Sequence, residues 1–256
     1  MQRSIAITEV TKMKSGRVCV AGYYKDENAL HCVRPEFAGK LRIDELDLSP
    51  AGRIVAPFTV VTCELETPRT VAPNTEDRLI RRWAVEGLPL DESARVALLT
   101  RTSWPSVAEV FHGHLKRTHS GTASVAVGSS CPSLGTVRVT APRVAFWRAR
   151  NDAGQTSWKY RLRFEDAGGD RYDLSLTDLA ARRYLQHQVE VGSLEALVVA
   201  ERLNDQLEAA RELFLRVGLS RPFPDSSDCW LQVNAIHAFP DYLGGRNHAD
   251  LAAWER

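Results

Sequence analysis

The sequence predicts a mostly β protein with helical additions, an α+β fold in which two strand-rich halves follow one another. Three observations support this prediction. Segments rich in β-branched and aromatic residues occur near both ends of the chain, helix-forming segments follow them in each half, and 256 residues are enough for one large domain or two small ones. A composition of 44% hydrophobic and 25% charged residues is that of a folded globular protein.

The first half begins with a predicted β-meander. Residues 3–10 and 17–24 are rich in β-branched and aromatic side chains, and the turn sequence KDEN at 25–28 precedes a third strand at 29–35. Residues 53–68 continue this pattern and predict a further strand. The first third of the chain is therefore expected to form one sheet.

The middle of the chain changes in character, because helix formers replace the β-branched residues there. Leu79, Ile80 and Trp83 have helical spacing, and Asp91 is a suitable N-cap. The segment 75–112 therefore predicts two or three short helices.

The second half repeats the strand-rich character and adds a clear order of elements. The sequence Ala167-Gly168-Gly169 separates two of its strands and predicts a hairpin. Two helical segments follow, and two more strands close the chain. The predicted strands lie at 136–151, 156–166, 170–176, 213–217 and 230–238. Three strands, a helical connection and two further strands are the order of the OB-fold, a five-stranded, partly open barrel.

Two tandem OB-like small barrels would explain why both halves look alike. The extended residues from Thr122 to Val127 are expected to return one strand to the first sheet, which puts the boundary just after them. The predicted domains are a first barrel at 1–128 with a helical insertion at about 75–112, and a second barrel at 129–256 with a helical connection at about 177–211.

Four segments of the chain carry a family resemblance. They read RVCVAGYYKDENALHCVRP (17–35), SLGTVRVTAPRV (133–144), LFLRVGLSRPF (213–223) and CWLQVNAIHAFPDY (229–242). Together they resemble the prokaryotic dual OB-containing protein family. This resemblance implies two OB-like barrels in one chain, nucleic-acid binding and a place in bacterial defence or conflict systems. It implies no catalytic residues.

The strand WKYRLRF at 158–164 is the clearest local signal of a binding surface. Its alternation places Lys159, Arg161 and Arg163 on one side and apolar residues on the other. The window 136–163 contains seven basic residues and one acidic residue. Because the face of strands 2 and 3 of an OB-fold binds oligonucleotides or oligosaccharides, this cationic stripe is a candidate nucleic-acid site. A solvated outer face that pairs with aspartates of the next strand is the alternative.

Two arginines before this strand and one loop after it extend the candidate site. Arg148 and Arg150 end the preceding strand, and Arg221 lies in the loop GLSRPFPDSSDC between the last two strands, at the rim of the expected groove. A phosphate contact is one expectation for Arg221. The other is that Arg221 belongs to a turn, where it covers apolar surface or forms an ion pair with Asp225 or Asp228.

The last strand offers groups that suit contacts to bases. In WLQVNAI, Trp230, Gln232 and Asn234 share one face. An aromatic ring followed by two amides is able to stack on a base and read its edges. The alternatives are a tryptophan packed in the core and a polar network buried between the two barrels.

No feature of the sequence identifies an enzyme or a metal protein. The phosphate-loop, dinucleotide-binding and nucleophile-elbow motifs are absent from the sequence. His112, His114 and His119 lack a fourth ligand and a defined spacing, so they are expected to be surface histidines. Asp241 has no nucleophile at a spacing that would pair with it. We therefore predict no catalytic residue, no metal and no cofactor.

Charge, cysteine content and hydropathy narrow the classes of partner. A formal net charge of +1 excludes a chain-wide basic field, so any nucleic-acid site must be local. The 5 cysteines are too scattered for a disulfide framework. No apolar run reaches the length of a membrane span, and the first residues do not resemble a secretory signal. The cytoplasm is the expected location, and no membrane partner is expected.

The leading hypothesis is a non-catalytic protein that binds single-stranded DNA or RNA through its second barrel, as an accessory of a bacterial defence system. A second hypothesis is an interaction module that docks onto a partner enzyme of the same system, with Trp83 and Trp104 as anchors. A third is a nucleotide-binding sensor or enzyme, for which a deep pocket lined by His112, His114 or Asp241 would be the sign.

Overall fold

Two curved sheets, one in each half of the chain, contain the strands of this protein. The computed structural model describes residues 2–37, 41–46, 53–66, 70–150 and 154–255. The strands of the first sheet are β1 (Gln2–Lys12), β2 (Val18–Asp26), β3 (Ala29–Phe37), β4 (Val60–Glu64), β5 (Asp77–Ile80) and β6 (Trp83–Glu86). The strands of the second are β7 (Ser103–Trp104), β8 (Lys116–Arg117), β9 (Ala123–Ala126), β10 (Leu134–Arg150), β11 (Thr156–Asp166), β12 (Arg171–Leu176), β13 (Glu212–Leu219) and β14 (Asp228–Phe239). The α-helices are α1 (Glu92–Thr102), α2 (Val107–Val110), α3 (Leu179–Glu190) and α4 (Ala196–Glu208), and short 3₁₀ turns lie at Lys14–Gly16, Ile43–Leu46 and Asp250–Glu255.

The second sheet closes into a five-stranded barrel. β10 is long enough to pair with β13 through its first half and with β11 through its second half. β13 pairs with β14, and β14 returns to β12 in parallel through the pairs Ser175–Gln232 and Leu176–Val233. The resulting order β12-β11-β10-β13-β14, with β12 joined to β14, is that of an OB-fold. The predicted mostly β, OB-like α+β fold is therefore confirmed.

Strand β11 has the alternation that the sequence predicts. Tyr160, Leu162 and Phe164 are buried in the barrel, whereas Lys159 and Arg163 are exposed to solvent. The predicted hairpin joins β11 to β12. Period-two alternation therefore assigns the inside and the outside of this barrel correctly.

Two helices connect β12 to β13, as predicted. The Asp178 carboxylate caps α3 by accepting the N–H groups of Ala180 and Ala181 at 2.9 and 3.1 Å. Asn204 attaches α4 to β10, because its side chain bonds both the N–H and the carbonyl of Val144. Neither these nor the other helices in the described part of the chain are long and apolar enough to cross a membrane.

A small hairpin, formed by β8 and β9, lies between β12 and β14 where these two strands are no longer paired. β9 pairs with the start of β14, and the Asp173 N–H of β12 donates to the Gly121 carbonyl at the hairpin turn over 2.9 Å. The expectation that residues 122–127 return to the first sheet is wrong. Ala123 and Val125 are buried in the core of the second barrel instead, which fixes this segment there.

The first half forms a smaller barrel whose fifth strand is divided. β1, β2 and β3 form the predicted meander, and β4 pairs with β1. β5 runs parallel to β3, whereas β6 pairs with β4. Residues 77–86 therefore take the place of the fifth OB strand, with a break at Arg81 and Arg82 between its two parts.

The helix predicted from Leu79, Ile80 and Trp83 is wrong. Ile80 is 3% exposed and its neighbour Leu79 is 41% exposed, which is the alternation of a strand. Pairing with β3 and β4, both distant in sequence, overrides the local helical spacing. The helices of this segment begin only at α1, where Asp91 is the N-cap as predicted and accepts the Ala94 N–H at 2.8 Å.

A buried polar network joins the two barrels. Arg216 of β13 is fully buried and donates to the Glu9 carboxylate at 2.6 Å, to the Tyr23 hydroxyl at 2.6 Å and to Thr136 at 2.8 Å. A buried charge without a partner is strongly destabilising, so these contacts hold the barrels in one arrangement. The domain division at residues 128 and 129 stays a prediction.

Candidate nucleic-acid interface

The cationic stripe of β11 lies on the outer face of the second barrel. Strand pairing places Lys159 opposite Trp147 of β10, and Arg163 opposite Arg143 of the same strand. Trp147 is 46% exposed, so an aromatic ring stands beside the stripe at the surface. On the other side, Arg161 pairs with Ser175 of β12. Cationic and aromatic side chains therefore share one surface.

The start of β14 continues this surface. Ser175 is paired with Gln232, so Arg161 and Gln232 lie in one row across three strands. Trp230 precedes Gln232 by two residues, which puts it on the same side of the strand. It is 36% exposed, so the alternative of a tryptophan packed in the core is wrong. The candidate residues of β11 and the first two of β14 are thus brought together.

Asn234 follows the same alternation but is not available to a ligand. It is 8% exposed, its amide donates to Glu9 at 2.9 Å, and its oxygen accepts the Thr177 hydroxyl at 3.1 Å. These contacts belong to the network that joins the barrels. The alternative of a buried polar network therefore holds for Asn234.

Arg148 and Arg150 do not lie on the outer face. Arg148 pairs with Trp158, on the side of β10 that carries buried Phe146, and its guanidinium stands 4.9 Å from the centre of the Trp158 ring. The same group bonds Glu190 at 2.6 Å. Arg150 donates to the Gly154 carbonyl at 3.1 Å. Both arginines therefore lie at one end of the barrel.

Arg221 bonds residues of the first barrel. Its guanidinium bonds the Glu36 carboxylate at 2.6 Å and also contacts Asp77, which a second arginine, Arg34, holds at 2.8 Å. The structure therefore assigns it an ion-pairing role, although with neither of the aspartates of its own loop. It ties the loop between β13 and β14 to β3 and β5.

One aspartate neutralises part of the stripe. Asp173 of β12 accepts from Arg161 and from Arg163, each at 2.7 Å. It is an aspartate of the next strand, as the alternative of a solvated outer face expects. One carboxylate for two guanidinium groups leaves an excess of positive charge, and Lys159 has no ion-pair partner among the described residues.

An open cavity of about 980 Å³ adjoins the stripe at the β11–β12 hairpin. Four arginines and one histidine line it together with three carboxylates. These residues are Arg117, His119, Arg143, Arg163, Arg171, Glu165, Asp170 and Asp173. Sequence reasoning missed Arg117, His119 and Arg171 as site residues. The basic cluster KRTH at 116–119 was the signal, but only the inserted β8–β9 hairpin brings it to β12.

Gly121 permits the close packing of this hairpin. Its φ is +82°, and a Cβ there would stand 2.8 Å from the Asp173 nitrogen. Arg117 then reaches over the Tyr172 ring at 5.5 Å and bonds Asp170 at 2.5 Å. The hairpin is therefore a fixed wall of the cavity.

The family comparison agrees with this architecture. A sequence model described as the dual OB-containing domain matches residues 7–236. The chain belongs to this family. A search of curated proteins finds no match to this dual OB-containing protein. In its second OB barrel, the face of the second and third strands, β11 and β12, is the one that carries the stripe.

The remaining candidate residues do not join this surface. His112 and His114 lie in the turn after α2, and His112 packs against Trp104 with ring centres 5.8 Å apart. No group of three His, Cys, Asp or Glu side chains is placed to hold a metal ion within the described ranges. Trp83 packs edge-on against Phe37 at 5.1 Å, so it is half-buried within the first barrel.

Proposed function

We propose that this dual OB-containing protein is a non-catalytic module that binds single-stranded nucleic acid on the outer face of its second barrel. One observation carries the proposal. Lys159, Arg161 and Arg163 share that face with Trp147 and Trp230. Positive charge that follows a backbone, combined with exposed rings on which bases stack, is the usual composition of single-strand sites.

The ion pair between Arg163 and Asp173 does not oppose this function strongly. Exposed ion pairs contribute only about 0–1 kcal/mol, so a phosphate is able to replace Asp173 as the partner of Arg163. Stacking of a base on an aromatic ring is worth about 1–3 kcal/mol. Gln232 adds a neutral donor and acceptor in the same row. Binding is therefore expected to depend on salt and to tolerate many sequences.

The same proposal includes the location of the protein in the cell and its biological role. The 5 cysteines are free thiols, as in proteins of a reducing compartment, so we place the protein in the cytoplasm. An accessory role in a bacterial defence system rests on the family resemblance. A protein partner from the same system is part of that role.

The test is fluorescence anisotropy with labelled single-stranded DNA, single-stranded RNA and duplex DNA over a series of salt concentrations. The variant changes Lys159, Arg161 and Arg163 together to Glu. We expect affinity to fall at least tenfold. The salt dependence is expected to become shallower by about 0.7 in logarithmic slope for each phosphate that the variant no longer neutralises.

The matched control changes three exposed arginines of the first half, Arg81, Arg82 and Arg101, to Glu. It alters the net charge equally but leaves the outer face of the second barrel intact, so wild-type binding is expected. Equally weakened binding in both variants would mean that only the net charge matters. No salt-dependent binding by the wild type would reject nucleic acid as the ligand.

A further inference from the structure

A second cavity, of about 560 Å³, lies at the junction of the two barrels. We call it the junction cleft. Its walls come from the loop before β4, the loop after β6 and α1 on the first-barrel side, and from the start of α3, β14 and the loop after β14 on the other. The volume is within the range of about 300–1,000 Å³ that small-molecule sites occupy.

Three arginines line the junction cleft without an ion pair to any described carboxylate. They are Arg53, Arg95 and Arg246. Each donates through one nitrogen to a backbone carbonyl: Arg53 to Val85 at 3.1 Å, Arg95 to Leu90 at 2.6 Å and Arg246 to Leu243 at 3.0 Å. Those bonds fix the side chains, and the other guanidinium nitrogens have no hydrogen bond to a described residue.

These arginines differ from those of the second barrel wall. Arg138, Arg143 and Arg148 each bond a glutamate within 2.8 Å, and Arg161 and Arg163 share Asp173. Unpaired guanidinium groups on both walls of one cleft raise the local potential, and this favours an anion. Burial is the main cause of the lowered pKa of His237, and the nearby charges of Arg216 and Arg95 lower this pKa further.

The acidic groups of the junction cleft do not cancel this charge by ion pairing. Asp178 accepts the N–H groups of Ala180 and Ala181 on one oxygen and that of Ile236 on the other. Asp241 accepts the backbone N–H groups of its own loop on both oxygens, at 2.9 Å each. All four carboxylate oxygens are therefore engaged by the backbone, and neither aspartate forms an ion pair with the three arginines.

The first-barrel side also supplies an apolar wall. Leu88 is 88% exposed and stands beside Pro89 and Pro57 at the cleft. Behind it Phe58 is held at a φ of +69°, a strained conformation for a residue with a side chain, with the Arg95 guanidinium 5.0 Å from its ring centre. Such strain tends to occur at functional sites. The Tyr242 hydroxyl on the opposite wall is buried without a hydrogen-bond partner among the described residues.

We propose that the junction cleft binds a mononucleotide, with its phosphate held by Arg95 and Arg246 and its base against the apolar wall of Leu88. An anionic group and a flat ring whose faces pack on apolar side chains, both in one molecule, match the two chemistries of the cleft. Because its walls come from both barrels, the ligand stabilises their arrangement by mass action. This site is separate from the outer face of the second barrel and does not depend on the function proposed for it.

The experiment uses the full chain and four fluorescent probes, the N-methylanthraniloyl derivatives of AMP, GMP, CMP and UMP. Saturable binding of at least one probe is expected, with displacement by the matching unlabelled nucleotide. Inorganic phosphate and the matching nucleoside test each half of the ligand, and each is expected to displace the probe at least tenfold more weakly. No saturable binding of any probe, or equal displacement by the nucleoside, would overturn the proposal.

Variants then locate the site. Arg95→Ala with Arg246→Ala is expected to weaken binding by roughly a hundredfold, because each substitution removes a charge-assisted bond to the phosphate worth about tenfold. If the double variant fails to fold, Arg246→Ala alone is tested, because Arg246 lies in an exposed loop and its substitution is expected to leave the fold intact. The matched control is the triple Glu variant of the outer face. It is expected to bind the nucleotide normally, and the double variant is expected to bind oligonucleotides normally. Loss of nucleotide binding in the triple Glu variant, together with normal nucleotide binding in the double variant, would reject the junction cleft.

Discussion

The two barrels share a strand order but use the same face differently. In the first barrel, the outer side of the second and third strands is covered, because Tyr23 of β2 and Cys32 of β3 both contact Arg216. In the second barrel, the equivalent side of β11 and β12 is open and carries the cationic stripe. One copy of this face therefore serves to join the barrels, whereas the other copy is open to solvent.

The difference extends to the way that each barrel is completed. The second has two helices between its third and fourth strands, whereas the only helical element among the described residues at this place in the first is the 3₁₀ turn Ile43–Leu46. The fifth strand is continuous in the second barrel and divided in the first. The first barrel is therefore the less regular one, and we expect it to depend on the junction for stability.

The largest effect is expected at that junction. Arg216→Met leaves the buried Glu9 carboxylate without its cation, and breaking a buried pair costs about 3–5 kcal/mol. Urea unfolding measures this decrease in the free energy of unfolding. The matched change Arg221→Met removes a partly exposed bridge between the same barrels, in which Arg34 still holds Asp77, and is expected to cost only about 1 kcal/mol. Similar small decreases in both variants would show that the barrels are stable separately.

A smaller effect is expected from pH. Burial lowers the pKa of His237 from 6.5 to about 3, so this residue is neutral in the folded protein, where its ring forms a hydrogen bond with the Thr8 carbonyl. Its protonation favours the unfolded chain. The stability that it contributes is complete above pH 6.5, declines as the pH falls and is lost below the folded pKa. The decrease for this one group is about 2 kcal/mol between pH 7.5 and 5.

The measurement compares urea unfolding at these two pH values for the wild type, His237→Gln and the exposed control His114→Gln. Only His237→Gln is expected to reduce the difference. Burial also raises the pKa of Asp178 to about 6, and this group acts in the opposite direction, because its loss of a proton favours the unfolded chain. An unchanged difference in His237→Gln would contradict the assignment.

The smallest effect is expected at the exposed rings of the second barrel. Trp147→Ala and Trp230→Ala each remove a stacking surface, which is expected to weaken single-strand binding about tenfold. Trp104 is as exposed as Trp230, at 36%, but lies away from the stripe, so Trp104→Ala is the control. If all three variants bind alike, the rings take no part and the contrast between the two faces rests on charge alone.

Sequence patterns predicted the second barrel because its signals are local. Alternation in β11, the Gly-Gly hairpin and the two helical segments after β12 each follow from neighbouring residues. The divided fifth strand of the first barrel has no such signal: Leu79, Ile80 and Trp83 fit a helix as well as a strand. Only pairing with β3, some forty residues earlier in the chain, decides between the two.

The candidate site was likewise predictable where its signal is local, and not where it depends on distant residues. Which side of β11 faces solvent follows from its period of two, so Lys159, Arg161 and Arg163 were placed correctly. The partners of an arginine do not follow from its neighbours. Arg221 bonds Glu36, a residue 185 positions away, and Asn234 bonds Glu9 at a separation of 225. Contacts of that range depend on how the barrels meet.

The short pairing between β12 and β14 has a mechanical consequence. Two residue pairs close the second barrel directly, and beyond them the β8–β9 hairpin is wedged between the strands. Few hydrogen bonds hold β12 and β14 together at this point, so local opening here is expected to require little free energy. A polymer lying from Arg161 across to Gln232 crosses the seam at the Ser175–Gln232 pair, so its binding is expected to hold β12 and β14 together there.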